Sequence, residues 1–337
     1  MIDTYPSLTG NWNFPTKMRF GAGRIRELAE ACATAGIDRP LLVTDPGLKP
    51  MPMIAEALAR LEKNGLAASL FADVHPNPVG SDVEAGLKAY ARGKHDGVVV
   101  FGGGSAMDAG KAVAFMSGQT RPIWDYEDRE DWWTRADPNG IAPVVAVPTT
   151  AGTGSEVGRA AVITDDRDHT KKIIFHPKMM PVDVICDPEL TLGLPPHVTA
   201  ATGMDALSHN LEAWCSPIWH PLAQGVALEG MRLCKEWLPE ATRRGSNVEA
   251  RAFMMAASSM GATAASYLGL KDRSFTGFVD WVLALREEVG IPHTLKEIGV
   301  DGDIIPEAAV MALQDPSNGG NPLPMSVPAY EALYANA

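Results

Sequence analysis

The sequence predicts two domains, an α/β N-terminal domain with a mostly parallel sheet and an all-α C-terminal domain. Three observations predict this. Strand-like and helix-like segments alternate through the first half. Gly97–Phe101 is apolar throughout, as a strand buried on both faces is. After Asp187 the strand-like runs stop and helical periodicity takes over. A chain of 337 residues also exceeds one ordinary core, so domains 1–187 and 188–337 are expected.

Leu41–Asp45 is a short β-rich run. Ile54–Leu66 has helical spacing and a glycine stop signal at Gly65. Leu70-Phe71 begins another strand, and Val83–Arg92 reads as a helix. After the buried strand at Gly97–Phe101 come a helix over Ser105–Phe115 and a buried strand over Val144–Val147. This rhythm is that of a Rossmann-like parallel sheet covered by helices. Asp187–Pro196 reads as the linker. Helices are expected over Val198–Trp214, Leu222–Trp237, Val248–Ala265 and Phe278–Glu288.

Composition narrows the function. Apolar residues make up 46% and charged residues 21%, as in soluble globular proteins. A net charge of −12 argues against nucleic acid and anionic membranes as partners. The four cysteines form no CxxC pair, which fits reduced thiols in a cytoplasmic protein. The N-terminal residues MIDTYPSLTGNWNF carry no signal-peptide pattern, and no apolar run is long enough for a membrane span.

Phe101-Gly-Gly-Gly-Ser-Ala-Met-Asp-Ala-Gly-Lys111 sits where a strand ends and a helix begins. Glycines at 102, 103 and 104 allow close backbone approach, and a helix N-terminus offers free N–H groups to a pyrophosphate. Ser105 either caps the helix or donates to a phosphate oxygen. Asp45 either accepts from ribose hydroxyls, which favours NAD over NADP, or opens an Asp-Pro-Gly turn. Pro148–Glu156 concentrates hydroxyls and glycines at a strand end, where open α/β sheets bind ligands. Asp205 and His209 are four apart in a predicted helix and share a face, either as a divalent-metal pair or as an ordinary Asp–His pair. The aromatic, acidic run Trp124–Trp133 either roofs a pocket or forms a surface insertion. Arg159 either meets an anionic substrate or is a structural cation.

In this order the motifs resemble the iron-containing alcohol dehydrogenase family. The stretches that carry the resemblance are FGAG from Phe20, TDPG from Thr44, PNP from Pro76, GGGSAMDAGK, VPTTAGTGSEV, VITDD, DPELT and TGMDALSHNLEAW. Asn321–Met325 and the closing Tyr330–Tyr334 are also family-like. The resemblance implies hydride transfer between NAD(H) and a small alcohol or aldehyde. It places Gly102, Gly103, Gly104 and Ser105 at the pyrophosphate and Asp45 at the adenosine ribose. Asn77, Thr149, Thr150 and Lys171 would line the cofactor site. Asp205 and His209 would hold Fe(II) or Zn(II), and a homodimer would form through about Trp12–Phe20. No general base is assigned.

The chain departs from the family at one place. The two further histidine ligands the resemblance implies are absent: after His209 only His220 and His293 remain, and neither has family-like surroundings. Sequence is expected to be missing between Ser266 and Tyr267, and a fuller chain carrying those histidines is the favoured explanation. If the segment is truly absent, the alternatives are a metal-independent reductase resembling maleylacetate reductases, or a non-catalytic NAD-binding relative.

Overall fold

A computed structural model describes residues 10–12, 16–215, 221–260, 275–315, 318 and 324–335. His220, the Ser266–Tyr267 junction and Asn321 lie outside the described residues, as does the start of the chain before Gly10. Two compact units are present: Met1–Thr150 with Gly154–Leu192, and Ala151–Thr153 with Gly193–Ala337.

The first unit holds a seven-stranded sheet. In chain order its elements are β1 (Gly10–Trp12), β2 (Lys17–Phe20), α1 (Leu28–Thr34), β3 (Pro40–Val43), α2 (Pro52–Lys63), β4 (Ser69–Phe71) and α3 (Gly80–Gly93). Then come β5 (Gly97–Gly102), α4 (Gly104–Met116) and β6 (Val144–Pro148), a separate hairpin of β7 (Ala160–Thr164) and β8 (Lys171–Phe175), and β9 (Asp183–Cys186). The sheet order is β1-β2-β9-β6-β5-β3-β4, and every pairing except β1–β2 is parallel. From β3 the chain steps outward to β4 through α2. From β5 it steps the opposite way to β6 through α4, so the order reverses between the neighbours β3 and β5. A reversal of this kind opens a crevice beyond the carboxyl ends of the two strands.

The sheet forms because its central strands have no polar side to offer water. All of β5 and β6 is buried. Burying a valine or phenylalanine of this kind contributes about 1.5–3 kcal/mol. Helix α4 lies close to the sheet because Gly110 has no side chain: a Cβ there would come 2.0 Å from Val100 Cγ1. The α2 helix ends where expected, with Gly65 at φ +81, and a β-carbon there would be strained.

Two buried ionic clusters hold the edges of this unit. Arg19 of β2 meets Asp183 of β9 at 3.0 Å, with Glu27 and Glu30 at 2.9 and 2.8 Å. Asp165, at the tip of the hairpin, accepts from Arg167 and Lys172 at 2.6 and 2.5 Å, which holds its carboxyl well below the usual range. The run Trp124–Trp133 packs on this hairpin: Trp133 contacts Phe175 and His176, and Arg167 and Lys172 lie over Trp124. Arg159 stacks over Phe175.

Although the sequence suggests a break at Asp187, the first unit continues to Leu192. The cause is local: the buried Asp187 carboxylate accepts from the N–H groups of Gly23, Ile25 and Glu189, and Leu190 joins the core.

The second unit consists, among the described residues, of α5 (Pro196–Cys215), α6 (Pro221–Arg243), α7 (Val248–Met260), α8 (Phe275–Val289), α9 (Ile305–Gln314) and α10 (Val327–Ala335). Small residues let α5 and α6 approach: Leu238 Cδ1 fills the space where Gly203 would carry a Cβ, and Asn210 fills it at Gly230. Asn210 is buried and donates to the carbonyls of Ala206 and Ala257, joining α5 to α7. Buried Arg251 donates to Thr199 Oγ1 at 2.6 Å and to the carbonyls of Gly245 and Leu194. Burial lowers its pKa.

Cys32 and Cys186 are buried in the first unit and Cys234 in the second, while Cys215 is half-buried at the end of α5. Burial pushes the Cys32 and Cys234 thiols up to about 12. Among the described residues no helix is long and apolar enough to cross a membrane.

Candidate functional site

The crevice between β3 and β5 collects the residues that the sequence singles out. At the end of β3, Asp45 Oδ1 accepts from the N–H groups of Gly47 and Leu48 at 2.9 and 3.0 Å. The Asp-Pro-Gly turn is therefore real. It commits one carboxylate oxygen and leaves Oδ2 3.5 Å from the Cβ position of Gly102. The ribose reading and the turn reading are compatible, because they use different oxygens.

The glycine turn follows β5. A Cβ on Gly102 would sit 2.7 Å from Ala106 Cβ, and one on Gly103 would sit 3.2 Å from Thr150 Cγ2. Only a bare backbone passes here, and a bare backbone is what a pyrophosphate can approach. Helix α4 begins at Gly104 with Gly103 as its cap residue, and no side chain caps it. Ser105 is therefore not the N-cap. It lies one residue inside the helix, where Oγ accepts from Asn77 N–H at 3.3 Å.

That contact brings in the Pro76–Pro78 turn. Asn77 has φ +53, a conformation asparagine tolerates better than most residues. The buried Asp82 carboxylate fixes the turn, accepting from the N–H groups of His75 and Val79 at 3.1 and 3.0 Å. Asp82 also lies 2.7 Å from the His75 ring and pushes its pKa up. On the other side, Thr164 N–H donates to Pro78 O at 2.8 Å, and Lys171 stands opposite Thr164 in the hairpin register. Lys171 is exposed. Thr149 N–H donates to Gly102 O at 3.0 Å, which seats Thr149 and Thr150 against the glycine turn. Asp45, Asn77, Gly102, Gly103, Gly104, Ser105, Thr149 and Thr150 thus meet at one sheet edge, and Lys171 is linked to that edge through Thr164.

In the second unit, Asp205 and His209 share one face of α5. Asp205 Oδ1 is 3.5 Å from His209 Nε2, and Glu212 Oε2 is 3.6 Å from His209 Nδ1. Partial burial pushes the Asp205 carboxyl up, and Glu212 is the main reason the His209 imidazole is raised. Gly152 lies against this face: a Cβ there would be 3.0 Å from Thr202 Cβ and 3.1 Å from Asp205 Oδ2. A catalytic metal takes at least three protein ligands. Among the described residues no group of three His, Cys, Asp or Glu side chains is arranged to hold one. Asp205 and His209 by themselves do not make up a metal centre among the described residues.

Sequence reasoning missed Asp82, Asp108, Lys111 and Ser155. Asp108 and Lys111 had a signal, as the two charged residues of an otherwise apolar α4.

A parallel sheet whose strand order reverses at a glycine turn is the architecture of a dinucleotide-binding protein. Residues 15–188 match the family model for iron-containing alcohol dehydrogenase, and residues 199–273 match that for the C-terminal part of the same family. The chain belongs to the iron-containing alcohol dehydrogenase family. It is 30% identical to choline dehydrogenase of Bacillus subtilis (strain 168), over 96% of this chain and 94% of that protein. It is 34% identical to NAD-dependent methanol dehydrogenase of Bacillus methanolicus, over 77% of this chain and 67% of that one. The crystal structure of 1,3-propanediol oxidoreductase superposes with a TM-score of 0.88 at 28% identity, covering 98% and 99% of the two chains. The alignment with choline dehydrogenase runs over 379 positions, more than the 337 residues of this chain, so that relative carries sequence that this chain lacks.

Proposed function

We propose that the protein transfers hydride between NAD(H) and a small primary alcohol or its aldehyde. The observation that carries this is the convergence of Asp45, the Gly102–Ser105 turn and Thr149–Thr150 at one sheet edge. Choline, methanol and 1,3-propanediol, the substrates that the names of its relatives carry, are all primary alcohols.

The nicotinamide supplies the hydride chemistry, and the protein supplies placement. The N–H groups at the start of α4 receive the pyrophosphate. Asp45 Oδ2 accepts from the adenosine ribose and repels a 2′-phosphate, which selects NAD over NADP. Asn77 and Ser105 brace the turn, Thr149 and Thr150 hold the nicotinamide end, and Lys171 lines the approach. Asp205 and His209 are the proposed donors to Fe(II) or Zn(II). They do not complete its coordination, and the sequence that choline dehydrogenase has beyond this chain fits a segment missing here, proposed to lie between Ser266 and Tyr267. If the segment is truly absent, one alternative is favoured, a metal-independent reductase resembling maleylacetate reductase. The protein is proposed to be cytoplasmic and homodimeric, with β1, the edge strand of the sheet among the described residues, pairing with a second copy.

The test is NADH formation or consumption with short alcohols and aldehydes, after anaerobic loading with Fe(II) or, separately, Zn(II). Metal-stimulated turnover is expected, and Asp205→Ala or His209→Ala should abolish both turnover and bound metal while sparing NADH binding. Equal turnover without metal would move the assignment to the metal-independent reductase. No turnover with intact NADH binding would leave a non-catalytic relative, and a monomeric mass in sedimentation would remove the dimer.

A further inference from the structure

Helix α4 buries a cation. Lys111 is 1% exposed, and its ammonium donates to Ser155 O at 3.0 Å, to Ser155 Oγ at 2.6 Å and to Ala160 O. Ser155 Oγ donates onward to Asp108 Oδ1 at 2.7 Å, and Asp108 Oδ2 accepts from Val162 N–H at 3.1 Å. Asp108 and the ammonium are 3.5 Å apart. All three donors of the ammonium have acceptors and a carboxylate stands beside it, so the buried charge is compensated. Burial pushes the lysine pKa down and Asp108 opposes that.

Packing alone does not call for a lysine here, because an apolar side chain fills such a space without desolvating a charge. What the network adds is position. Asp108 and Lys111 lie on the helix whose first turn is the glycine turn. Ser155 opens the short helical turn Ser155–Val157 just after the hydroxyl-rich loop that leaves β6. Thr149 is already bound to Gly102 O at the start of that loop, and Ser155 is bound to α4 at its end. The two anchor points of the loop are thus fixed on either side of the glycine turn, one at the end of β5 and one on α4.

We propose that Asp108, Lys111 and Ser155 form a positioning relay that sets Thr149 and Thr150 against the glycine turn and so holds the nicotinamide end of the dinucleotide. The relay rests on the cofactor reading of the turn given above. On that reading it acts at the nicotinamide end, through Thr149 and Thr150, and not at Asp45. Loss of the relay therefore weakens NADH but not ADP-ribose, which lacks the nicotinamide.

The experiment measures NADH and ADP-ribose affinities of the full chain and of three variants by titration. Ser155→Ala removes only a hydroxyl at a half-buried position, and Lys111→Met keeps the apolar stem. Both should weaken NADH about tenfold, the size of one charge-assisted hydrogen bond, with ADP-ribose within about twofold. Ser155→Thr restores the hydroxyl and should restore NADH affinity. Equal weakening of both ligands, no weakening of either, or failure of Ser155→Thr to rescue would overturn the relay alone. Failure of the unaltered protein to bind ADP-ribose would overturn the cofactor reading, and the relay with it.

Discussion

Asp45 divides its two oxygens between backbone and crevice, and that division makes it testable. Asp45→Ala removes a negative charge from the place a 2′-phosphate would occupy, and with it an acceptor for the ribose. NADH affinity should fall about fivefold to tenfold while NADPH affinity holds or rises, a change worth about 1–1.4 kcal/mol. Parallel titrations with the two cofactors check this, and an unchanged NADH/NADPH ratio would remove Asp45 from the site. At this scale much was legible. Glycines 102–104 and the hydroxyl-rich loop after β6 stand out because few residues suit such turns, whereas Asn77 was implied only by the family resemblance. Of the two readings of Ser105, the cap falls away because Gly103 takes that position, while Oγ accepts from Asn77 N–H and keeps its own proton to donate. Ser155 was illegible for another reason: its partners lie 44 and 47 residues away, a distance that periodicity does not encode.

Helix α4 depends on a missing side chain as much as on those it has. A Cβ at Gly110 would press on Val100 Cγ1, a stiff branched side chain in a fully buried strand. Gly110→Ala should therefore cost about 1–3 kcal/mol through overpacking, although alanine is the better helix former. A thermal melt lowered by several degrees is expected, and an unchanged or raised midpoint would show that α4 shifts freely on the sheet. Strands β3, β5 and β6 were readable because their apolar runs admit no other burial. Strands β2 and β9 were not, because each carries a buried charge, Arg19 and Asp183, whose partners lie elsewhere in the chain: each other across the two strands, and Glu27 and Glu30 for Arg19. The hairpin β7–β8 is half-exposed and interrupted by charged residues, so its alternation is faint. The long helices of the second unit were readable from their period, with described ends shifted by a few residues; the expected end of α7 at Ala265 lies outside the described residues.

Across the whole molecule, the sequence organisation into an α/β unit and a helical unit was visible from texture alone. The return of Ala151–Thr153 to the second unit was not, because three residues carry no periodicity. The Asp205–His209 pair was legible as two residues four apart on one helix face, and its proposed metal role came from the family resemblance. That the pair needs further donors was legible too, because neither His220 nor His293, the two histidines after His209, stands in family-like surroundings. The distribution of sulfur has a use of its own. Cys32 and Cys186 are sealed in the first unit and Cys234 in the second, and for Cys32 and Cys234 burial also keeps the thiol protonated, so these three should resist alkylation in the folded protein. Cys215, half-buried, should label first, and each further labelled position then reports the opening of its own unit. Pulse alkylation along a denaturant gradient, read by peptide mass, would show whether the two units unfold together or in sequence. Simultaneous labelling of Cys32, Cys186 and Cys234 means one cooperative transition, and staggered labelling means that one half of the enzyme can lose its structure while the other still holds its ligand.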